Sequence, residues 1–425
     1  MASKRRLPAS LADTAEGRRI EAMRLNPSWR RWGPYVSDRQ WGTVREDYSP
    51  GGTAWDYFPH DHARSRAYRW GEDAIAGFSD DRQLWCLGIA LWNGHDPILK
   101  ERLFGLTNAE GNHGEDVKEL YFHGDGLPSH AYMRMLYKYP QEEFPYTRLV
   151  DENRRRGPAD PEFELIDTGI FDAGRYHDVT VEYGKAAADD LLLRVTVVNR
   201  GPDAARLHLL PQLWARNTWS WTPDAERPLL RARPEGGVLA AHPGMQPMVL
   251  HAEPAAALLF CENETNIRRL YGGEAPGPFK DGINDCVVHG DGGAVSRLGE
   301  GTKCAVHHLL DLPPGGSAAI RLRLRPATSA GDPFADFDAV LAGRLAEADE
   351  FYAVLQRGID EPDARLVQRQ ALAGMLWSKQ FYFMDVPRWL AGDEAQPPPP
   401  EGRRRGRNAE WLHLNNADII SMPDK

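Results

Sequence analysis

Residues 303–325 read KCAVHHLLDLPPGGSAAIRLRLR, and this stretch decides the fold class. Two apolar runs flank a Pro-Gly segment that has the composition of a turn between neighbouring antiparallel strands. In the second run, apolar residues alternate with arginines: Ile320, Leu322 and Leu324 against Arg321, Arg323 and Arg325. Because successive strand residues point to opposite faces, this alternation predicts one face in a core and the other in water.

Further runs of the same kind extend this pattern backwards along the chain. LLLRVTVVN (191–199), ARLHLLPQLW (205–214) and AALLFCEN (256–263) are short, apolar and separated by turn-forming residues. NRGPDAA, beginning at Asn199, has turn chemistry like that of LPPGGSAA after residue 311. The prediction is a mainly β protein with a large antiparallel sandwich, or super-sandwich, over residues 73–330.

Helical patterns lie on both sides of the predicted sandwich. Residues Leu11–Leu25 predict a short helix with Ser10 and Asp13 as caps. After Asp332 apolar residues recur at helical spacing, which predicts a first helix from Phe337. A second helix is predicted over Asp363–Asp385, with a buried stripe of Leu366, Val367, Leu372, Leu376, Trp377 and Phe381.

The expected domains are residues 1–72, a helix and aromatic loop that pack on the sandwich; 73–330, the sandwich; and 331–425, a helical segment.

Composition excludes several classes of protein. The 425 residues are 42% hydrophobic and 26% charged, and the formal net charge of -10 argues against nucleic-acid binding, which needs clustered positive charge. Four separated cysteines indicate buried thiols rather than a zinc site or a disulfide framework. LWCLGIALW (84–92) is too short to span a membrane, and no apolar core follows the basic N-terminus, so a cytoplasmic location is expected.

The stretch Trp41–Trp70 has neither strand nor helix periodicity and mixes aromatic, acidic, imidazole and guanidinium groups. Aromatic faces stack on sugar rings, and the polar groups supply the directional hydrogen bonds that hydroxyls need. The predicted substrate-binding residues are Trp41, Asp47, Tyr48, Trp55, Asp56, Tyr57, His60, Asp61, His62 and Arg64. Structural docking onto a neighbouring domain is an equal alternative for this stretch.

Three further groups each have a functional and a structural interpretation. His60-Asp61-His62 contains metal-ligating residue types, although adjacent residues seldom converge on one ion and a polar turn is favoured. Trp219 and Trp221 form either a stacking platform or core filler, with the core favoured. A third group contains three carboxylates and a lysine: Glu115, Asp116, Glu119 and Lys118. It is either an acid–base cluster or solvated surface charge, and surface charge is favoured. No residue of the chain is assigned a catalytic role.

Several strings together resemble a known family. WGTVREDYS, AWDYFPHDHARSRAYRWGED, LWNGHDPILKERLFGLTNAEGNHGEDVKELYF, LLPQLWARNTWSW and NADIISMPDK are similar to bacterial glucosidase-like members of glycoside hydrolase family 63, relatives of mannosyl-oligosaccharide glucosidase. The resemblance implies a β-super-sandwich followed by an (α/α)6 barrel, with residues 331–425 as the helical linker and the first, truncated part of that barrel. It also implies an inverting reaction with two carboxylates about 6.5–9.5 Å apart. It places the acid and the base beyond the segment that matches SMPDK, so Asp424 is not the acid.

The resulting expectation is the N-terminal part of an inverting α-glucosidase-like hydrolase, inactive by itself because both barrel carboxylates lie past Lys425. Its expected partners are a carbohydrate substrate and the missing barrel segment or a separately encoded half. One alternative is a non-catalytic carbohydrate-binding or scaffold module that works with a separate catalytic half; another is a structural remnant without a ligand. Carbonyl and carboxylate oxygens would allow a structural Ca²⁺ ion, but no motif indicates one, and no cofactor is expected.

Overall fold

The computed structural model describes residues 8–42, 58–106, 110–111, 117–221, 224–394, 396–406 and 408–421, and this part of the chain is mainly β, as predicted. The strands are β1 (Trp32–Gly33), β2 (Ile75–Asp80), β3 (Cys86–Trp92), β4 (Tyr121–Gly126), β5 (Tyr132–Pro140), β6 (Tyr176–Ala187), β7 (Asp190–Asn199), β8 (Ala205–Trp214), β9 (Leu229–Ala232), β10 (Val238–His242), β11 (Met245–Glu253), β12 (Ala257–Cys261), β13 (Glu300–Gly301), β14 (Lys303–Leu312), β15 (Ser317–Pro326), β16 (Lys379–Asp385) and β17 (Asn415–Ser421). The α-helices are α1 (Ala15–Met23), α2 (His60–Ala63), α3 (Tyr146–Arg155), α4 (Ile267–Tyr271), α5 (Gly282–His289), α6 (Phe337–Leu355), α7 (Pro362–Trp377) and α8 (Val386–Ala391).

Two antiparallel sheets form the body of the molecule. The six-stranded sheet has the order β1-β2-β3-β8-β14-β12, and the nine-stranded sheet has the order β13-β9-β10-β11-β15-β7-β6-β5-β4. Their inward side chains form one buried core, which includes Leu87, Leu209, Val306, Val181, Val195 and Leu322. β16 and β17 form a separate antiparallel pair.

The strands predicted from apolar runs are present, but two of the three arginines on the outer face of β15 do not lie in water. The predicted core residues Ile320, Leu322 and Leu324 are buried as expected. Arg323 and Arg325, on the opposite face, are buried as well. Both carboxylate oxygens of Asp190 accept hydrogen bonds from Arg323, at 2.7 Å each, and Asp336 also pairs with it. Paired guanidinium groups can be buried, so alternation alone overestimated the exposure of this face.

The two Pro-Gly segments do not join neighbouring strands of one sheet, which corrects the prediction. Each crosses from one sheet to the other: β7 to β8, and β14 to β15. Asn199 ties the two crossings together, because its Nδ2 donates to the carbonyl oxygens of Asp203 (2.8 Å) and Leu312 (3.0 Å). Turn composition reports that the chain reverses and does not report which sheet it enters.

The N-terminal helix is shorter than predicted. Ser10 and Asp13 cap a 3-10 turn over Leu11–Asp13, and α1 starts after Thr14, whose Oγ1 accepts a hydrogen bond from the amide of Gly17 at 2.9 Å. The buried Glu16 accepts hydrogen bonds from the amide of Ser129 at 2.7 Å and from its hydroxyl at 2.8 Å. These contacts fix α1 to the nine-stranded sheet.

The first helix after the sandwich, α6, is confirmed, but the second ends earlier than predicted. α7 stops at Trp377, and the segment from Lys379 pairs with β17 as a strand. Leu366 and Val367 are 51% and 56% exposed, while Trp377 is fully buried and donates through Nε1 to the carbonyl oxygen of Asp125 at 3.1 Å. The buried part of the predicted stripe therefore packs against the sandwich, and its first two residues do not.

Cys86, Cys261 and Cys304 are buried free thiols, and Cys286 is half-buried. Among the residues that the structure describes, no helix has the length and apolar character that crossing a membrane requires.

Candidate functional site

Five predicted sugar-contacting residues lie outside the described residues: Asp47, Tyr48, Trp55, Asp56 and Tyr57. The other five lie at the 3-10 turn Gln40–Gly42 and on or beside α2. These two segments bring Trp41 and His60 together, whereas Asp61 and Arg64 belong to a separate ion-pair group. Sugar contact by any of the ten remains a prediction.

His60 lies in a group of aromatic side chains, which we call the His60 cluster: Trp41, His60, Phe104, Phe144 and Tyr146. The imidazole meets Trp41 and Phe104 edge to face, at ring-centroid distances of 5.2 and 5.1 Å, and stacks on Tyr146 at 5.5 Å. Phe104 also contacts Tyr146 edge to face at 5.0 Å. Such offset and perpendicular contacts stabilise a rigid aromatic cluster.

Trp41 is an interior part of this cluster. Its side chain is fully buried, its Nε1 donates to the carbonyl oxygen of Leu103 at 3.4 Å, and its amide donates to Asp73 Oδ2 at 3.3 Å. Arg39 lies over the indole at 5.4 Å. These contacts favour the docking interpretation for Trp41 over an exposed stacking surface.

Two polar atoms of the His60 cluster stand out. His60 Nε2 and Tyr146 Oη are shielded from solvent and have no hydrogen-bond partner within the described part of the chain. A buried polar atom without a partner costs free energy, so such atoms call for an explanation such as a ligand or an ordered water. A sugar hydroxyl, which both donates and accepts, can satisfy an imidazole nitrogen and a phenol together.

The protonation states of both groups follow from their surroundings. Burial, followed by the positive charges of Lys100 and Arg102, holds the pKa of His60 well below its ordinary value, so the imidazole is neutral near pH 7. Burial and nearby carboxylates raise the pKa of Tyr146 well above its ordinary value. Two neutral polar groups suit an uncharged hydroxyl ligand.

Lys100 and Glu119 lie beside the cluster; the sequence pointed to Glu119 but not to Lys100 or to the ion pair between them. Lys100 Nζ lies 2.6 Å from Glu119 Oε1 and 4.5 Å from the Tyr146 ring centroid. Glu119 also accepts a hydrogen bond from Tyr137 Oη at 2.8 Å. Both side chains are fully buried, so Glu119 is not the solvated surface charge that the sequence favoured. Lys100 and Glu119 are 19 residues apart in the sequence, so only the folded structure shows that they form a pair.

Lys118, which precedes Glu119 in the chain, is likewise buried and ion-paired. It pairs with Glu162 and Glu164 at 2.6 and 2.9 Å, while Glu115 and Asp116 lie outside the described residues. Solvated charge is therefore wrong for Lys118 as well.

Asp61 holds α2 against α4. Its Oδ1 accepts two hydrogen bonds from Arg64, at 3.0 and 3.2 Å, and its Oδ2 pairs with Arg269. Burial alone would raise the pKa of Asp61, but Arg64 and Arg269 lower it below the ordinary value. A carboxylate held by two guanidinium groups orients α2 and is poorly suited to accept a proton.

The three consecutive residues His60, Asp61 and His62 lie on helical backbone and so point in different directions. His62 Nδ1 is buried without a hydrogen-bond partner among the described residues, and burial lowers the pKa of this imidazole. Across the described ranges, no group of three His, Cys, Asp or Glu side chains is arranged to hold a metal ion.

A buried ion network links this region to the six-stranded sheet. Arg102 bonds Asp73 at 2.9 Å and Glu101 at 3.1 Å, and Glu101 also pairs with Lys303 at 2.7 Å. Gln212 Nε2 donates to Glu101 at 2.9 Å. Two acids and two bases balance in charge, so the network is a rigid, neutral support rather than a source of free acid or base.

The Trp219–Trp221 segment is a 3-10 turn and not an extended strand. Trp219 is buried in the main core and donates through Nε1 to Glu264 at 2.7 Å. Trp221 is half-buried and stacks on Phe383 at 5.7 Å, with Arg216 5.5 Å from its ring centroid. Trp219 is thus core filler, as favoured, and Trp221 packs against the β16–β17 pair.

Comparison with known proteins gives one long alignment. The uncharacterized protein YMR196W of Saccharomyces cerevisiae is 41% identical over 461 aligned residues, which cover 97% of this chain and 42% of the yeast protein. The chain therefore spans less than half the length of that relative. No family model matches the chain.

Two solved structures show weak likeness. A provisionally assigned aldose 1-epimerase of Escherichia coli has 11% identity, a TM-score of 0.22 and coverage of 46% of this chain and 65% of its own. A provisionally assigned kojibiose phosphorylase from human microbiome has 6% identity, a TM-score of 0.25 and coverage of 84% of this chain and 40% of its own. TM-scores of this size do not establish a shared fold.

Proposed function

We propose that this chain is the carbohydrate-binding sandwich part of an inverting α-glucosidase-like glycoside hydrolase, and that the His60 cluster contacts a sugar. One observation carries the proposal: His60 Nε2 and Tyr146 Oη are buried in a single aromatic cluster without hydrogen-bond partners in the described residues. Aromatic side chains with a few convergent polar atoms are the usual lining of a ligand site. The resemblance to glycoside hydrolase family 63 supplies the substrate class.

The carboxylates around the cluster support a binding role here and catalysis elsewhere. Asp61, Glu101 and Glu119 each form ion pairs with arginine or lysine. General acid–base chemistry on a glycosidic bond needs two opposed carboxyl groups that are free to exchange protons with the substrate and with water. We therefore expect both catalytic groups to lie outside these residues, in a barrel segment or a separately encoded half.

Sugar binding can be tested by titrating the purified chain and each variant with methyl α-glucoside and measuring the dissociation constant by calorimetry. His60→Ala and Tyr146→Phe should each weaken binding about three- to tenfold, since each removes about one hydrogen bond. His289→Ala, which changes an exposed histidine at the end of α5, is the matched control and should bind like the unaltered chain.

Absence of binding, or equal loss in the His289→Ala control, would refute the proposal and favour a ligand-free structural role. The same preparation is expected to release no glucose from α-linked disaccharides. Hydrolysis that persists in repurified protein would show that a catalytic pair is present after all. Binding without hydrolysis fits both the hydrolase part and the scaffold alternative, and activity restored by an added catalytic half would favour the scaffold.

A further inference from the structure

A cavity of about 440 Å³ opens on the outer face of the nine-stranded sheet. The turn between β9 and β10, the strand β11 and the segment after β15 form its walls. None of the lining residues belongs to the His60 cluster. The volume is within the range of about 300–1,000 Å³ that small-molecule sites usually have.

Arg325 distinguishes this cavity from the rest of the arginine face of β15. Arg321 pairs with Glu253 and Asp338, and Arg323 pairs with Asp190 and Asp336. No ion pair among the described residues includes Arg325, although it is 7% exposed. Within the described ranges, its guanidinium donates to the carbonyl oxygens of Ala330 (3.4 Å) and Gly331 (2.6 Å) and to no other group.

A largely buried guanidinium without a carboxylate partner is costly unless an anion compensates its charge. Asp336 lies near enough for Arg325 to influence its pKa, but the Asp336 carboxylate is hydrogen-bonded to Arg323. Two of the five guanidinium N–H donors of Arg325 are engaged by carbonyls, which leaves donors for a ligand.

A second cation lies at the rim. Arg233 lines the cavity and pairs with Glu235, and both are at least partly exposed. Such exposed pairs contribute little free energy, so an incoming anion can replace Glu235 as a partner. Two guanidinium groups against one carboxylate leave the cavity with a positive balance.

The remaining lining provides an imidazole and an apolar wall. His251 is neutral near pH 7, because burial, followed by Arg325 and Arg233, lowers its pKa to about 4. Val249 and Phe334 contribute apolar surface. Gly237, at φ +81°, lets the turn approach closely, since a Cβ there would lie 2.7 Å from the carbonyl oxygen of Leu250.

We propose that this cavity is a site for a small organic anion whose phosphate or carboxylate group is held by Arg325 and Arg233 while its uncharged part contacts Val249 and Phe334. The cavity is much larger than one phosphate group, so the ligand has a body as well as a charged head. Paired guanidinium groups are the usual recognition elements for both head groups.

The test is a titration of the full chain with glucose 6-phosphate, gluconate, inorganic phosphate and neutral glucose, followed by the imidazole NMR signals of His251. Glucose 6-phosphate or gluconate should shift these signals, inorganic phosphate should do so more weakly, and glucose should not. Which of the two organic anions binds more tightly identifies the head group.

Arg233→Ala should weaken binding about tenfold, as expected for the loss of one charge-assisted hydrogen bond. The matched control is Arg231→Ala on the same sheet, which removes an equal charge from an exposed pair with Glu300 outside the cavity. Equal weakening by both variants, or equal binding of glucose, would overturn the proposal. His60→Ala should leave this binding unchanged, so failure here is distinguishable from failure of sugar binding at the His60 cluster.

Discussion

At the scale of single residues, the molecule depends on buried charges that neutralise one another. The carboxylate of Glu101 forms ion pairs with Lys303 and Arg102 and accepts a hydrogen bond from Gln212, and all four side chains are buried. Burial alone would raise the pKa of Glu101, but Lys303 and Arg102 outweigh it and lower the pKa to about 2. The ionised form is therefore the one that the fold stabilises.

Glu101→Gln should lower the free energy of unfolding by about 3–5 kcal/mol at pH 7, because it leaves buried cations without their partner. A carboxyl group whose pKa is lowered on folding stabilises the protein above its unfolded pKa, near 4.5, and that contribution disappears as the pH falls toward 2. The variant should therefore lose less stability than the unaltered chain between pH 5 and pH 3 in urea titrations.

Glu300→Gln is the control for this experiment, because Glu300 forms an exposed pair with Arg231 and should contribute only about 0–1 kcal/mol. Similar losses in the two variants would contradict a buried, mutually dependent network.

Patterns in the sequence predicted part of the His60 cluster and its surroundings and could not predict the rest. Local composition marked residues 41–70 as non-periodic and polar, and the structure places Trp41 and His60 together. The ion pair of Lys100 with Glu119 was missed because it exists only after the chain brings distant segments into contact. Burial of Arg323 was missed for the same reason, since its partners Asp190 and Asp336 are distant in sequence or lie in another element.

At the scale of secondary-structure elements, the apolar runs predicted strands well, and errors arose at the connections and ends. α7 was extended too far because FYFM after Trp377 continues an apolar pattern, and a short apolar run does not distinguish helix from strand. Pairing with β17 decides that the segment is a strand. Similarly, only the pairing of β14 with β8 and of β15 with β7 shows that their connection crosses between the sheets.

Asn199→Ala tests how much the link between the two connections that cross from sheet to sheet contributes to the free energy of unfolding. Asn199 is fully buried, and its side chain bonds Asp203, Leu312, Gly201 and Gln141. Loss of these bonds leaves buried carbonyls and amides without partners, so we expect a loss of about 3 kcal/mol in chemical denaturation.

Asn26→Ala is the corresponding control, because Asn26 is exposed and accepts a single hydrogen bond, from Ser28 at the start of a 3-10 turn. Its loss should be about 1 kcal/mol or less. Equal effects in the two variants would mean that the crossings are held by other contacts.

At the scale of the whole molecule, the helices after the sandwich share its core. Trp377 of α7 is part of the main hydrophobic cluster and stacks on His123 at 5.4 Å. Tyr352 of α6 donates through its hydroxyl to the carbonyl oxygen of Gly126 at 2.6 Å. These contacts join both helices to β4, at the edge of the nine-stranded sheet.

Trp377→Ala should lower the free energy of unfolding by about 3–5 kcal/mol, because it creates a large cavity in the shared core. The loss should appear in one cooperative transition, with far-ultraviolet and near-ultraviolet circular dichroism changing together. Met375→Ala, on the exposed side of the same helix, should change stability by less than about 0.5 kcal/mol. Separate melting of the helices with the sheets intact would support an independent domain beginning near residue 331.

The position of β15 has a consequence for biosynthesis. β15 is the middle strand of the nine-stranded sheet, and β14, which precedes it, joins β8 to β12 in the other sheet. The six-stranded sheet cannot be completed until β14 (Lys303–Leu312) has been made, and the nine-stranded sheet cannot be completed until β15 (Ser317–Pro326) has been made. Closing these contacts brings together segments more than 100 residues apart. The early strands of the nascent chain therefore emerge before all of their neighbouring strands exist. Exposed strand edges of this kind are prone to aggregation, so protection by chaperones matters most at this stage.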